Sequence, residues 1–367
     1  MNQKNILILI NVRWWNATAF YAVNISRILH KNGHRVIVGC SPGFPAFQKA
    51  RNFGLETAAL NFYGYNIFRL IRDFFRMLRL IRKEKIMVIN AHRSEDQAFA
   101  LLAKLLTGVR FVITRGDQRR IRRGLFSRIK YSLADAVVLT CRSILEQNRK
   151  ALPKKKVSVI HGSVDEEHFR MTKKKEHAAK KYGVDPKNIV IGMAGRLDYV
   201  KDQYTFVNAC GLAAKQLKKV SFIVAGKQEH IKMEELHHLA QKWNIEKKLI
   251  LLPRVTDIPD VINLFDISVI TSIGSETISR VLLEYLYLKK PVIGTDINVI
   301  PEIIRPGYNG EIVKPGDYHS LAERIINLAR DRRTMKLYSR NSFSLYKKFY
   351  SEKIFYKEYN RVFQSVI

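Results

Sequence analysis

Two glutamates, Glu276 and Glu284, stand eight positions apart in the stretch Ser272–Asp317. Glu276 is expected in a short loop after an apolar strand, and Glu284 two turns into the helix that follows. Eight residues is a little over two helical turns, so the pair should lie along one edge of that helix. The helix is expected to begin near Ser279. Its first N–H groups and the positive end of its dipole would then favour an anion. Carboxylates beside an anion site suit a ligand that carries hydroxyls as well as phosphates, as a nucleotide sugar does.

Basic residues complete the chemistry. Arg196 and Lys201 follow an apolar run in the same half of the chain, at what should be the mouth of a ligand crevice. An arginine can fork onto phosphate oxygens and a lysine can offer a point charge, which together suit a diphosphate. In the first half, His92 and Arg93 come just past another apolar run, where open α/β sheets line their crevice. His92 there can act on a substrate or serve as a structural histidine. Further on, Arg115-Gly116-Asp117 leads into Arg119, Arg120, Arg122, Arg123, Arg128 and Lys130. That run reads as an anion-binding lip or as a solvated charged surface.

These residues need elements to hold them. Apolar runs at Ile6–Ile10, Arg35–Cys40, Lys85–Asn90, Arg110–Thr114, Asp135–Thr140 and Val157–Ile160 read as buried parallel strands. Helical patterns stand between them, from about Phe20 to Lys31, where Asn32-Gly33 signals a stop, and from about Asp96 to Leu106. The alternation restarts with Ile189–Met193, Val220–Ala225, Leu249–Leu252 and Ile267–Ile270. It includes helices from about Tyr204, near Met233–Trp243 and near Asp257–Leu264. Two doubly wound α/β halves in tandem fit this better than one large sheet. From Val164 to Asn188 apolar periodicity fades and Lys173, Lys174, Lys175, Lys180 and Lys181 crowd in, which marks an interdomain connection. No G-x-G-x-x-G follows the first strand.

The segment Asn66–Lys85 projects as an amphipathic helix. Ile67, Ile71, Phe74, Leu78 and Ile81 form one stripe, with Phe68 and Phe75 alongside. Arg69, Arg72, Arg76 and Arg79 form another. The apolar stripe should pack on a sheet. The arginines would face solvent, anionic lipid headgroups or acceptor phosphates.

A chain of 367 residues with 47% apolar content can build two full cores. Its net charge of +32 is uneven: residues 1–165 hold 30 Lys/Arg against 9 Asp/Glu. Such a field attracts nucleic acid, an anionic membrane surface or a phosphorylated substrate. No zinc-finger, RRM or helix-turn-helix pattern supports nucleic acid, and the basic runs lack interleaved aromatics. Cys40, Cys141 and Cys210 have no metal spacing and read as reduced thiols. No run reaches about 18 apolar residues, and the start lacks a signal-peptide pattern, so a cytoplasmic chain that can lie on a membrane is expected.

The ordered series Ala194-Gly195-Arg196-Leu197…Lys201, Ser275-Glu276…Leu283-Glu284, Lys290-Pro291-Val292-Ile293, Ile300-Pro301-Glu302-Ile303 and Gly307…Asn309-Gly310…Val313-Lys314-Pro315-Gly316-Asp317 resembles the large retaining family of GT-B glycosyltransferases, over nearly the whole chain. The nearest likeness is to members that build lipopolysaccharide and other surface glycans. The resemblance implies two Rossmann-like domains facing a cleft. Residues 1–165 would bind the acceptor, residues 166–345 the nucleotide sugar, and residues 346–367 would form a helix packing back on the first domain.

It also implies roles. Glu276 would hold donor-sugar hydroxyls and Glu284 the ribose hydroxyls. Arg196 and Lys201 would neutralise the leaving diphosphate, helped by backbone N–H groups at Ile278, Ser279, Arg280 and Val281. His92 would lie near the donor sugar. Asn16, Thr18, Arg93, Arg115 and Asp117 are acceptor candidates. No D-x-D motif is present, in keeping with transfer that needs no metal cofactor. The expected partners are a nucleotide sugar, an anionic glycolipid or polysaccharide acceptor such as a lipopolysaccharide core, and the cytosolic face of the inner membrane, held peripherally through Asn66–Lys85, Arg119–Lys130 or both. The sequence departs from the family pattern at Thr277, Ile278 and Ser279, where Gly-Phe-Gly is usual, and at Asn16-Ala17-Thr18, which lacks the usual paired glycines. A nucleic-acid-binding protein, or an epimerase or phosphorylase on the same two-domain fold, are the competing readings.

Overall fold

Strands apolar on both faces need cover on both sides, and this chain supplies it by alternating each strand with a helix. The computed structural model describes residues 3–122, 124–153, 156–170, 175–253, 255 and 257–367. Arg123, Lys173 and Lys174 lie outside the described residues. The chain divides into two compact units, residues 1–163 with 352–367, and residues 164–351.

The first unit runs β1 (Asn5–Leu9), α1 (Ala17–Lys31), β2 (Arg35–Cys40), α2 (Pro45–Asn52), β3 (Glu56–Ala59), α3 (Ile67–Lys83), β4 (Val88–Ala91), α4 (Ser94–Thr107), β5 (Arg110–Arg115), α5 (Leu125–Leu133), β6 (Ala136–Leu139), α6 (Arg142–Asn148) and β7 (Val157–Val159). The seven strands are parallel in the order β3-β2-β1-β4-β5-β6-β7. Ile6 of β1 lies opposite Val36 on one side and Val88 on the other. Strand order therefore reverses between β1 and β4, the place where doubly wound sheets open a crevice.

Helix boundaries follow local chemistry. The Asn16 side chain accepts from Ala19 N at 3.0 Å and caps α1, which ends at Asn32 with Gly33 at φ 84°. The strand expected over Lys85–Asn90 is shorter. Lys85 takes a left-handed φ of 49° to close the end of α3, and pairing begins only at Val88. In α3 the expected packing stripe splits. Met77, Leu78 and Ile81 are buried with Asp73, whereas Ile67, Phe68, Ile71 and Phe75 are exposed.

The second unit runs α7 (Lys175–Tyr182), β8 (Ile189–Ala194), α8 (Gln203–Gln216), β9 (Val220–Ala225), α9 (Met233–Lys242), β10 (Leu249–Leu252), α10 (Ile258–Leu264), β11 (Ile267–Ile270), α11 (Arg280–Tyr287), β12 (Val292–Thr295), α12 (Ile300–Ile303), β13 (Gly310–Val313), α13 (Tyr318–Arg330) and α14 (Arg332–Leu345), with a π-helical stretch at Tyr346–Tyr350. Its parallel sheet has the order β10-β9-β8-β11-β12-β13, with the reversal between β8 and β11. Ile191, Phe206, Phe222 and Ile325 pack in its core. The lysine-rich segment after Val164 belongs to this unit, where α7 packs against α10.

The chain then returns to the first unit as α15 (Glu352–Val366). Phe355 and Tyr359 pack their rings against Tyr21 of α1, and the Tyr359 hydroxyl lies 3.0 Å from Thr114 Oγ1. Lys4 Nζ donates to Asn360 Oδ1 at 3.2 Å, and Arg27 pairs with Glu352. Cys40, Cys141 and Cys210 are buried thiols.

Candidate functional site

In the second unit the strand-order reversal falls between β8 and β11, and the loops that leave these two strands carry Arg196, Lys201 and Glu276. Glu276 is 3% exposed. Its Oε1 accepts from Ser272 Oγ at 2.7 Å and pairs directly with Lys201 Nζ. Its backbone N donates to Asn298 Oδ1 at 3.0 Å, and its carbonyl accepts from Val299 N. The Lys201 loop is fixed from the same side. Thr271 Oγ1 lies 2.8 Å from both the Lys201 and Asp202 carbonyl oxygens, and Ile273 N donates to Val200 O. A buried carboxylate held by an ammonium and a hydroxyl is fixed in orientation.

The next helix starts where expected. Ser279 is its N-cap, with φ 40° and ψ 60°, and Ser275 is also left-handed at φ 51°. This is backbone that glycine adopts freely and serine adopts at a cost. Ser279 is 3% exposed, and its Oγ has no hydrogen-bond partner among the described residues. Ile278 is buried behind it, while Arg280 and Val281 are partly exposed at the helix start. The expectation for Glu284 needs correcting. Because α11 begins only at Arg280, Glu284 is its fifth residue, little more than one turn in, and Glu276 belongs to the preceding loop. Glu284 is 2% exposed. Arg280 Nε approaches its Oε1 to 2.7 Å, in a geometry that leaves that oxygen without a well-directed hydrogen bond.

Arg196 is set differently. Its guanidinium is about half exposed, 3.5 Å from Asp198 and 3.8 Å from Glu229, while its backbone carbonyl accepts from Gln203 Nε2 at 2.8 Å. The loop gets its shape from a close backbone approach. A side chain on Gly226 would place Cβ 1.8 Å from the Gly195 carbonyl oxygen, so only glycine fits there.

In the first unit the corresponding reversal holds Asn11 after β1 and His92 after β4. His92 is 4% exposed, and neither ring nitrogen has a hydrogen-bond partner among the described residues. Burial pushes its pKa down to about 3, so the ring is neutral. Asn90 Nδ2 and the Arg93 and Arg115 Nε atoms are likewise buried without partners. Near them, Asp96 accepts from Asn11 N at 2.9 Å and from Asn11 Nδ2 at 2.7 Å, and burial raises its pKa to about 7.

The acceptor candidates are in varied settings. Asn16 caps α1, and Thr18 is half-buried in its first turn. Arg93 lies 3.4 Å from Glu95. Arg115 is turned inward. It donates to Asp117 Oδ1 at 2.9 Å, to the Tyr131 hydroxyl at 3.3 Å and to the Arg119 carbonyl, and Asp117 also accepts from Arg119 N. Lys130, expected on the basic lip, is buried and donates to Gln97 at 2.8 Å, and desolvation lowers its pKa to about 8. Sequence reasoning missed Ser272, Thr271 and Asn298, which fix the Glu276 and Lys201 loops. No motif marks them, because each acts across a turn or between strands.

Residues 18–168 match the family model for glycosyltransferase family 4, and residues 174–344 match that for glycosyl transferases group 1. Among curated relatives, the N-acetyl-alpha-D-glucosaminyl L-malate synthase of Bacillus anthracis is 24% identical, over 80% of this chain and 78% of its own. The UDP-Gal:alpha-D-GlcNAc-diphosphoundecaprenol alpha-1,3-galactosyltransferase of Escherichia coli is 22% identical over the same shares, 80% and 78%. Among solved structures, Anabaena Alr3699/HepE in complex with UDP superposes with a TM-score of 0.85 at 17% identity, covering 98% of this chain and 100% of that one.

Proposed function

We propose that this chain, shown by both family matches and by its two parallel-sheet units to be a GT-B glycosyltransferase, moves a sugar from a nucleoside diphosphate sugar to an anionic, membrane-associated glycolipid or polysaccharide, with retention of configuration. The observation that carries the reading is the Lys201–Glu276–Ser272 cluster at the strand-order reversal of the second unit, beside the start of α11. A fixed carboxylate there can hold sugar hydroxyls. Lys201, Arg196 and the N–H groups at Ile278–Val281 can stabilise negative charge as the diphosphate leaves. These groups act without a metal cofactor in this reading. Glu284 takes the ribose hydroxyls, displacing Arg280 from its approach.

His92 is assigned to the transferred sugar as a neutral hydrogen-bonding group, since a ring titrating near pH 3 offers one donor and one acceptor at neutral pH. The E. coli relative is named for a diphosphate-linked polyprenyl acceptor, and the Anabaena structure holds UDP, which supports this donor and acceptor chemistry. No helix among the described residues is long and apolar enough to cross a membrane, so attachment at the cytosolic face is peripheral in this proposal. A nucleic-acid-binding role and an epimerase or phosphorylase role are not favoured, because both halves match glycosyltransferase families.

The test is a thermal-shift screen over nucleotide sugars, UDP-sugars first, followed by assay of nucleoside diphosphate release. One donor should raise the melting temperature and be slowly hydrolysed. A panel in which no nucleotide sugar binds would overturn the assignment.

A further inference from the structure

Exposed large apolar side chains are scattered singly on most proteins. Here eleven of the 23 among the described residues fall on three helices of the first unit, α3, α4 and α5. The second unit has six, spread over separate elements. The three helices pack side by side: Phe74 of α3 meets Phe99 of α4 with ring centroids 5.9 Å apart, and Lys130 of α5 donates to Gln97 of α4. Their outer faces therefore form one surface.

Each outer face is apolar at helical spacing. On α3 it carries Ile67, Phe68, Ile71 and Phe75, with Phe68 83% exposed. On α5 the same i, i+1, i+4, i+8 pattern recurs as Leu125, Phe126, Ile129 and Leu133, and between them α4 shows Leu102, Leu105 and Leu106. At about 100° per residue, α3 has three sectors: Asp73, Met77 and Ile81 inward, the four apolar residues to one side, and Arg69, Arg72, Arg76 and Arg79 beyond them. The only carboxylate within α3, Asp73, is buried and neutralised by Arg72 at 3.0 Å and Arg76 at 3.1 Å, and α5 has none. Beside α5, a cleft of about 460 Å³ is lined by Arg122, Arg128, Lys150 and Lys156 with Ser127 and Ser132, and by no carboxylate.

We infer that the α3–α4–α5 face is a membrane-docking surface for an anionic bilayer. Its apolar side chains enter the headgroup–acyl boundary, and its arginines and the α5 cleft take lipid phosphates. Charge complementarity argues for this occupant. Glu95 at the start of α4 is the partly exposed carboxylate of these helices, so the rim is predominantly basic; apolar insertion and basic attraction together are what interfacial binding to anionic lipid requires. The inference rests on the peripheral attachment proposed above and assigns it to a surface wider than either basic segment alone.

The experiment is co-sedimentation of the full chain with phosphatidylglycerol or phosphatidylcholine vesicles, with donor hydrolysis measured in parallel. The wild-type protein should partition onto phosphatidylglycerol and release with salt. F68S/F126S and R79E/R128E should each bind about tenfold or more weakly, with donor hydrolysis unchanged. Variants that bind phosphatidylglycerol as tightly as the wild type would overturn the inference. So would equal binding to phosphatidylcholine, or a dimer in sedimentation that F68S/F126S abolishes without any vesicle binding. Vesicle binding without donor hydrolysis would instead count against the glycosyltransfer reading and leave the surface standing.

Discussion

Lys201 and Glu276, 75 positions apart in sequence, share a direct ion pair that ties the loop after β8 to the loop after β11. The carboxylate is 4% exposed and the ammonium 22%, so the pair is largely withdrawn from water. Its partners differ in what they hold. Ser272 holds Glu276 from within its own loop, Asn298 holds it from the loop after β12, and Lys201 reaches it from the loop after β8.

Removing Lys201 should therefore strand a buried carboxylate. Lys201→Met is expected to destabilise the second unit by about 3 kcal/mol, read as a melting point roughly 6–12 °C lower. The double variant Lys201→Met/Glu276→Gln should recover part of that loss. Additive single effects in the double-mutant cycle would contradict the coupling.

Arg196 should behave in the opposite way. It is about half exposed and makes only long ionic contacts, so Arg196→Ala should change stability by about 0.5 kcal/mol or less. If it stabilises the leaving diphosphate, kcat should fall on the order of 100-fold. Steady-state kinetics beside a melting curve separates the two effects.

Ser279→Gly relieves a left-handed serine and should stabilise the chain by about 0.5–1 kcal/mol. The same change removes the buried, unpartnered hydroxyl, so KM for the donor should rise about tenfold if that hydroxyl binds phosphate. A more stable protein with unchanged KM would assign Ser279 no part in binding.

Gly226→Ala sets a Cβ against the Gly195 carbonyl oxygen and should cost about 3 kcal/mol or more, measured by thermal unfolding. Full retention of the melting point would show that the two loops separate easily.

His92 makes stability pH-dependent. Its folded pKa, about 3, lies below its ordinary 6.5, so its contribution is complete above pH 6.5 and is lost as pH falls toward 3. The slope from this residue is about 1.4 kcal/mol per pH unit inside that window. Asp96 acts with the opposite sign: its pKa is raised to about 7, so its contribution is complete below 3.8 and is lost as pH rises through 7. On acidification below pH 6.5 the wild type should lose stability relative to His92→Phe, by the slope given above. A pH-independent gap would exclude a buried neutral histidine.

Much of the scaffold was legible because parallel strands are continuous apolar runs. Arg35–Cys40, Val220–Ala225, Leu249–Leu252 and Ile267–Ile270 end where their apolar runs end. Glu56–Ala59 was not legible. It is an edge strand with no buried residue, so it carries no apolar signature. Periodicity found the amphipathic character of α3 but not which apolar residues reach the core, since Phe68 and Met77 are equally apolar in sequence and opposite in exposure. The Glu276 and Lys201 loops were visible as residue types. Their attachment to each other depends on β8 and β11 being sheet neighbours, which sequence separation conceals.

The first unit takes back α15 after the entire second unit has intervened. The Tyr21, Thr114 and Tyr359 side chains meet only once that late segment exists. During synthesis the second unit can therefore finish folding while the first, although begun earlier, still lacks a wall of its core. Vectorial N-to-C folding by whole domains is thus barred by the chain's own connectivity, and an arrested nascent chain cut before Glu352 should expose that wall to proteases and chaperones.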